Sequence, residues 1–416
     1  MITQLTHVMA NILKIHKAIK SLPDTRIRKS KLIFHSSVIV FIYGMMLQIP
    51  SINSMLNDRT KRARLQKVSE GPLPSDTTMG AHLAMADPQD LAKALYGANK
   101  AAIEEGALEG GSVDGKLVVA YDGVEHFVSK PIMCKYCHFR PATGSEEPEM
   151  FHRSLIVSTV GRDLGFHLIL GLEGLKPTDS SLKAEGETTA AIRLAEEMHG
   201  EYGRIADYAT ADALYLKSPF INTLLKQGTH VIARIKDERY GLFKEAKALF
   251  ESGQGRMEDM DFAYKDPVSK KTWSVEVWMA GQYKFANCDT PLKVWRFDVE
   301  PPYGEKETMY IATTDLDATA EFVWKCAHFR WDLELSGIKQ LKERYNFDHN
   351  YAHDAIRQVS ILIALAFNIR ALTFGFFKPK LRNGLLSMLE ATNIMSDELL
   401  KMRKPLTRLW LKLGSG

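Results

Sequence analysis

The stretch from His328 to Lys342, His-Phe-Arg-Trp-Asp-Leu-Glu-Leu-Ser-Gly-Ile-Lys-Gln-Leu-Lys, places a carboxylate, Glu334, among basic and apolar residues. Arg330, Glu334 and Ile338 recur every four residues, which predicts that they share one face of a helix. On such a face the carboxylate can bind a metal ion while the neighbouring cations face a polyanion. We therefore interpret Glu334 as the last ligand of a metal site.

Asp122 is a candidate for the first acid of such a site. It follows Lys116–Tyr121, an apolar and β-branched run that predicts a strand, and Asp122-Gly123 is expected to end that strand. On the dipeptide alone, a hairpin turn into a second short strand over 124–128 is the favoured interpretation. Asp114, which precedes the strand, is the weaker rival.

Asp212 is the candidate for the second acid. The segment Arg204-Ile-Ala-Asp-Tyr-Ala-Thr-Ala-Asp212 predicts a strand that ends in a carboxylate, and Ser218-Pro219 predicts the start of a helix. Asp207 is the fallback, and an ordinary helix cap is the alternative role for Asp212.

These segments together resemble the cut-and-paste transposases of bacterial insertion sequences, which have a ribonuclease-H-like core and an Asp, Asp, Glu triad. The resemblance rests on Arg330-Trp-x-x-Glu334 followed by Leu-Lys, on Tyr345-x-Phe-x-His-Asn-Tyr-x-His353, and on the long apolar helix that follows. It extends from about Arg26 to about Phe376. Ala327 stands where the family has Tyr, Leu335 stands where Asn is frequent, and Lys342 falls one place late.

The resemblance implies that Asp122, Asp212 and Glu334 are both the catalytic residues and the ligands of Mg²⁺, for which Mn²⁺ can substitute. Hard oxygen ligands suit these ions, and two ions can activate the attacking oxygen and stabilise the leaving one. The implied reactions are cleavage at transposon ends and strand transfer into target DNA. A related nuclease without joining activity, and an inactive DNA-binding derivative, are the alternatives.

The chain of 416 residues is expected to fold in several α/β units. We predict a helical DNA-end-binding domain over 1–108 and a ribonuclease-H-like core that begins over 109–240. A β-rich insertion over 241–317 interrupts this core, which ends over 318–378 with the helix that carries Glu334. A C-terminal helical region over 379–416 follows. Within the core, strands over 154–160 and 166–171, a helix over 180–200 and a strand over 231–236 are expected.

Several residues are predicted to contact DNA. Near the acids, Arg330 and Lys342 are assigned to phosphates by the resemblance, and Trp295 is assigned to stacking on a flipped base, with Trp273 and Trp278 as alternatives. In the N-terminal domain, a basic run predicts phosphate contacts by Arg59, Lys61, Arg62 and Arg64. A solvated helix face and core tryptophans are the alternative interpretations.

Cys134 and Cys137 form a Cys-x-x-Cys-His motif with His138. The spacing also fits c-type haem attachment, which the lack of a signal-peptide pattern argues against. A structural metal is the remaining hypothesis, with His138 or His152 as further ligands.

Composition constrains the partners of the chain. Its net charge of +4 permits nucleic-acid binding. Four cysteines in a chain of this size point to a reducing compartment. Polar residues interrupt the apolar runs over 32–49 and 359–376, which predicts buried helices rather than membrane spans. We expect a cytoplasmic, nucleoid-associated protein that binds double-stranded DNA as a homodimer.

Overall fold

The computed structural model describes residues 1–26, 31–141, 147–177, 185–236, 240–382, 385, 387–402 and 405–406. Arg28 and Lys29 of the basic N-terminal segment, the predicted helix start over 180–184 and most of the C-terminal region after 402 lie outside these residues.

The N-terminal part is helical, as predicted. Its helices are α1 (Ile2–His7), α2 (Ile15–Lys20), α3 (Phe34–Met46), α4 (Ile52–Asn57), α5 (Arg59–Gln66), α6 (Asp76–Met85) and α7 (Pro88–Glu104). Ser51 caps α4 by accepting a hydrogen bond from the Ser54 N–H. Ser75 caps α6 in the same way, by accepting a hydrogen bond from the Thr78 N–H.

In the described residues the strands form a ten-stranded mixed sheet. The strands are β1 (Val118–Ser129), β2 (His138–Arg140), β3 (Glu149–Thr159), β4 (Ile169–Gly174), β5 (Tyr208–Ala211), β6 (His230–Arg234), β7 (Phe262–Lys265), β8 (Thr272–Tyr283), β9 (Leu292–Glu300) and β10 (Glu307–Thr313). The order across the sheet is β2-β3-β1-β5-β6-β10-β9-β8-β7, and β4 also pairs with β3. The strands β1, β3 and β4 are antiparallel, whereas β5 and β6 run parallel to β1.

The strands predicted in the insertion belong to this same sheet. β10 pairs antiparallel with β6, and β9, β8 and β7 follow outward from it. The described chain therefore has one continuous sheet in which β7 to β10 extend the strands that carry the two aspartates.

The prediction that Asp122-Gly123 ends a strand is wrong. β1 continues through both residues to Ser129, with a bulge at Phe127, whose φ is +51°. A Cβ atom on Gly123 would lie 2.5 Å from the Glu187 carboxyl carbon. Glycine at this position therefore leaves room for a neighbouring side chain, and it forms no turn.

Further helices flank the sheet: α8 (Glu187–Tyr202), α9 (Ser218–Lys226), α10 (Gly241–Glu251), α11 (Ala320–Phe329), α12 (Lys339–Tyr345), α13 (Ile356–Leu372) and α14 (Met388–Lys401). Between α11 and α12, residues Leu333–Ile338 form a π-helical segment that carries Glu334. The regular helical face predicted for this region is therefore distorted, although Arg330 and Glu334 still meet.

The apolar helix α13 lies at the centre of the protein. The helical stretch His353–Phe377 is long and apolar enough to cross a membrane, and 83% of its most apolar window is buried inside the protein. Its polar interruption Asn368 is buried and hydrogen-bonded: it donates to Asn99 Oδ1 (2.9 Å) and accepts from the Ile169 N–H (2.9 Å). These bonds join α13 to α7 and β4.

Arg370 joins three helices from within the core. Its guanidinium is buried and donates to the carbonyl of Met46 (2.5 Å), the carbonyl of Met388 (3.0 Å) and the hydroxyl of Thr392 (2.9 Å). The end of α3 and the start of α14 are thereby fixed to α13. A buried charge is tolerated here because backbone oxygens surround it.

We predict that Arg370→Met lowers the free energy of unfolding by about 3 kcal/mol, because two buried carbonyls lose their donors. Urea denaturation measures the loss. Arg382→Met, at an exposed position, is the matched control and is expected to change little. Equal effects of the two substitutions would contradict this role for Arg370.

Candidate carboxylate site at the strand ends

Asp122 and Asp212 lie side by side. The parallel pairing of β1 and β5 places Tyr121 opposite Ala211, and the two aspartates are the next residues along each strand. Parallel neighbours lie about 4.8 Å apart and point to the same face of the sheet. The register therefore puts the two aspartates at neighbouring positions, one on β1 and one just after β5.

Glu334 and Asp122 both contact the guanidinium of Arg330. The guanidinium Nη1 of Arg330 lies 2.8 Å from Glu334 Oε1 and 3.4 Å from Asp122 Oδ2. The side chain of Arg330 is only 6% exposed, whereas that of Glu334 is 35% exposed. One buried cation thus links the acid of the π-helical segment to the acid of β1. We call Asp122, Asp212 and Glu334 the carboxylate site.

The π-helical segment is anchored beside the site. Asp332, which is buried, pairs with Arg162 (2.7 Å) and accepts from the Gly161 N–H (3.3 Å) in the connection between β3 and β4. Arg162 also contacts Asp266, next to β7. The Glu334 segment is therefore held against the sheet by an ion-pair network two residues away.

The two aspartates have opposite electrostatic properties. Burial raises the pKa of Asp122 to about 6, Glu334 adds to this shift and Arg330 opposes it. Burial also acts to raise the pKa of Asp212, but the Ala213 N–H and Lys236 outweigh it, and the pKa of Asp212 is lowered. Lys236 Nζ lies 3.2 Å from Asp212 Oδ1. Only Asp212 is thus strongly favoured as an anion.

Two residues near the site were missed by sequence reasoning. Glu187, the first residue of α8, lies over Gly123, accepts from the Tyr215 hydroxyl (3.0 Å), pairs with Arg153 and raises the pKa of Asp122 slightly. Lys236, just after β6, neutralises Asp212. The sequence offered one sign of a role for these two residues: Glu187 lies in the helix predicted over 180–200, and Lys236 lies at the end of the strand predicted over 231–236.

The rival acids have structural roles. Asp207 accepts a hydrogen bond from the Leu117 N–H (2.9 Å) and another from Arg204. Asp114 lies in a turn with φ of +47° and pairs with Lys325 (3.1 Å). Neither is positioned at the carboxylate site.

The predicted phosphate contacts near the acids need correction for Arg330. Its buried guanidinium is engaged by two carboxylates, so it does not face an open surface. Lys342 is more exposed and donates to the Glu125 carbonyl (3.0 Å). Together with Lys339 it lines an open groove that also contains Asp122 and Glu334.

The basic run of α5 is also largely engaged. Arg62 donates to the carbonyls of Leu56 and Leu73, which makes it a structural residue rather than a phosphate contact. Lys61 donates to Ser54 Oγ, and Arg64 lies 3.6 Å from Asp397. Arg59 is exposed. Of these four residues, Arg59 is the one whose surroundings fit the DNA-contact prediction without rearrangement.

The assignment of Trp295 to base stacking is wrong for this structure. Its side chain is 1% exposed and stacks on Phe297, so no face is open to a base. Trp273 and Trp278 are half-buried, and Trp278 lies under Arg296. Trp331, which is 42% exposed and packs beside Arg330, is the accessible tryptophan near the acids.

Cys134 and Cys137 lie apart from the carboxylate site. They contact His152 and His353 beyond the bulge of β1. His138, the alternative ligand, instead has its Nε2 near the Leu175 carbonyl.

Fold and site together define a mixed α/β protein with a group of carboxylates where the parallel pairing of β1 and β5 ends. No protein-family model matches the chain, and no curated protein matches it. Among solved structures, the chain is similar to a cryo-EM structure of a piggyBac transposase synaptic complex with hairpin DNA. The two are 9% identical with a TM-score of 0.45, and the match covers 100% of this chain and 84% of that one. A likeness of this degree carries no argument about function.

We predict opposite effects on stability when each aspartate is replaced by its neutral isostere. Above pH 6, Asp122→Asn is expected to raise the free energy of unfolding by on the order of 2 kcal/mol, because the anion of Asp122 is disfavoured by burial. The gain should shrink as pH falls through 6 and vanish below pH 3.8, where Asp122 is protonated in both folded and unfolded states. Urea denaturation as a function of pH measures it.

Asp212→Asn is the matched comparison. Because the pKa of Asp212 is lowered, its anion stabilises the folded state at neutral pH, and the substitution should destabilise the protein there. Destabilisation by both substitutions at pH 8 would contradict the electrostatic difference between the two aspartates.

Proposed function

We propose that this chain is a metal-dependent DNA transposase of the type found in bacterial insertion sequences, which cleaves transposon ends and transfers the strand into target DNA. The observation that carries the proposal is the carboxylate site itself. Asp122 and Asp212 follow a paired position of two parallel strands, and a single buried arginine connects Asp122 with Glu334. This arrangement of acids that are far apart in sequence supports the proposal.

The strand arrangement supports a ribonuclease-H-like core. Three antiparallel strands, β1, β3 and β4, precede helix α8, and the parallel strands β5 and β6 follow it on the other side of β1. This is the succession of elements expected from the resemblance. It places the first two acids on neighbouring central strands, where ligands of open α/β sheets bind.

The donor set fits Mg²⁺ or Mn²⁺. All three candidate ligands are carboxylates, which are the hard oxygen donors that these ions prefer. Cations already lie beside the three carboxylates: Lys236 is next to Asp212, and the guanidinium of Arg330 lies between Asp122 and Glu334. When bound, the metal would supply activation of the attacking oxygen and stabilisation of the leaving oxygen.

The protein groups around the site have separate roles in this proposal. Asp122 must be deprotonated to bind metal, so its raised pKa makes metal binding weaken below about pH 6. Arg330 orients Asp122 and Glu334. Lys339 and Lys342, which line the open groove next to the acids, would attract the phosphodiester backbone of a DNA end.

We predict that Glu334→Gln abolishes cleavage and joining of a labelled donor DNA in Mg²⁺ while DNA binding persists. The amide is isosteric but a poor ligand for a hard cation, so the loss should be at least about 100-fold. Cleavage is followed on denaturing gels with the ends of the element that encodes the chain, and binding is followed by mobility shift.

The matched control is Glu343→Gln, an exposed glutamate on α12 beside the same groove. It is expected to retain cleavage and joining. Cutting by Glu334→Gln at the wild-type rate would show that the carboxylate is misassigned. Cleavage without transfer of a pre-cut end would instead identify a nuclease, and binding without either reaction would identify a DNA-binding derivative.

A further inference from the structure

Four side chains from distant parts of the sequence meet at one point outside the carboxylate site. The ligand atoms of Cys134, Cys137, His152 and His353 all lie within 4.8 Å of one another. We call this group the Cys/His cluster. Among the described residues, one group of three or more Cys, His, Asp or Glu side chains has ligand atoms this close together, and it is this cluster.

Four of the six separations between ligand atoms match those of a tetrahedral zinc site. Zinc binds Cys sulfur at about 2.3 Å and His nitrogen at about 2.0 Å, so tetrahedral angles place two sulfurs about 3.8 Å apart and sulfur and nitrogen about 3.6 Å apart. The Cys134 and Cys137 sulfurs are 3.9 Å apart. His152 Nε2 lies 3.6 Å and 3.5 Å from them, and His353 Nε2 lies 3.4 Å from Cys137 Sγ.

We propose that the Cys/His cluster binds one Zn²⁺ as a closed, structural Cys₂His₂ site. Four protein ligands complete the coordination sphere and leave no open position for a substrate, which distinguishes structural zinc from catalytic zinc. Soft thiolates and imidazoles also distinguish this site from the oxygen-only carboxylate site. The inference does not depend on the proposed transposase activity.

Backbone N–H groups and an aromatic ring surround the ligand atoms of the cluster. The Cys134 N–H points at Cys137 Sγ (3.3 Å), and the Tyr136 N–H points at Cys134 Sγ (3.4 Å). The ring of Phe127, at the β1 bulge, packs against His353 at a centroid distance of 4.8 Å. Contacts of this kind around the ligands fix their orientation and tune metal affinity.

Cys134 and Cys137 do not form a disulfide. Their sulfurs are 3.9 Å apart, about twice the length of an S–S bond. Two imidazole nitrogens also point at the same position between them, which a disulfide does not require.

The metal would connect three segments of the core. Cys134 and Cys137 lie in the connection from β1 to β2, His152 lies on β3, and His353 lies just before α13. The segment that carries Glu334 runs from α11 to His353. Zinc would therefore fix the end of that segment to β3 and to the connection that follows β1, the strand that carries Asp122.

The first test is metal content after purification of the full chain from cells supplied with zinc. We expect about one zinc per chain by mass spectrometry of the metal. Cys137→Ser and His353→Gln should lose most of it. Cys288→Ser and His349→Gln are the matched controls, because Cys288 and His349 lie outside the cluster, and both should retain zinc.

A second test uses only the wild-type protein, so it does not depend on whether a substituted protein folds. Wild-type protein stripped of metal is titrated with Co²⁺, and a tetrahedral thiolate site gives thiolate-to-cobalt charge transfer and intense ligand-field absorption. Zinc should displace the cobalt signal.

Wild-type protein that lacks zinc and shows no such absorption would overturn the proposal, and so would equal zinc loss in Cys288→Ser and Cys137→Ser. Neither result depends on DNA cleavage. Glu334→Gln should keep its zinc, so failure of the metal site and failure of the proposed activity can be told apart.

Discussion

The contact of Arg330 with Asp122 and Glu334 is the constraint on which the arrangement of this protein depends. Removal of a guanidinium from water costs several kcal/mol unless charged partners surround it. The side chain of Arg330, at the end of α11, is only 6% exposed, so its charge must be balanced by carboxylates inside the protein. Because Glu334 lies in the π-helical segment and Asp122 lies on β1, this shared contact joins the segment to the central strand of the sheet.

The charges around the site are divided unequally between the two strands. Lys236 serves Asp212 alone, whereas Arg330 is shared between Asp122 and Glu334. Glu187 adds a further negative charge near Asp122. Arg153 pairs with Glu187, so two cations contact the three acids of the carboxylate site. A bound cation would offset the remaining negative charge, in line with the metal site that we propose.

Much of the local structure could be predicted from the sequence. Strands β1, β5 and β6 contain continuous apolar runs, β8 and β9 alternate in burial, and Ser51 and Ser75 cap helices as their types predict. The expectation that Asp122 and Asp212 belong to one site rested on the family resemblance. Features that depend on contacts between residues far apart in the sequence could not be predicted. Gly123 suggested a turn because its contact with Glu187 is invisible in a dipeptide.

The same reason explains the other errors. Trp295 and Arg62 have side chains that suit DNA contact, but only the packed structure shows that one is in the core and the other binds backbone carbonyls. The Cys-x-x-Cys motif was recognisable, whereas His353 lies 216 residues after Cys137 and nothing local marks it as a fourth ligand. Side-chain type and spacing define candidates, and long-range packing selects among them.

The position of β10 next to β6 has a consequence for how the chain folds. Until β10 docks, β6 is an edge strand with unpaired backbone groups, and residues 235–306 separate the two strands in sequence. Pairing over such a separation is slow because loop closure must precede the contact. The sheet that carries Asp212 therefore passes through a stage with an open edge, which is open to pairing with other chains, and completion of β7 to β10 closes that edge.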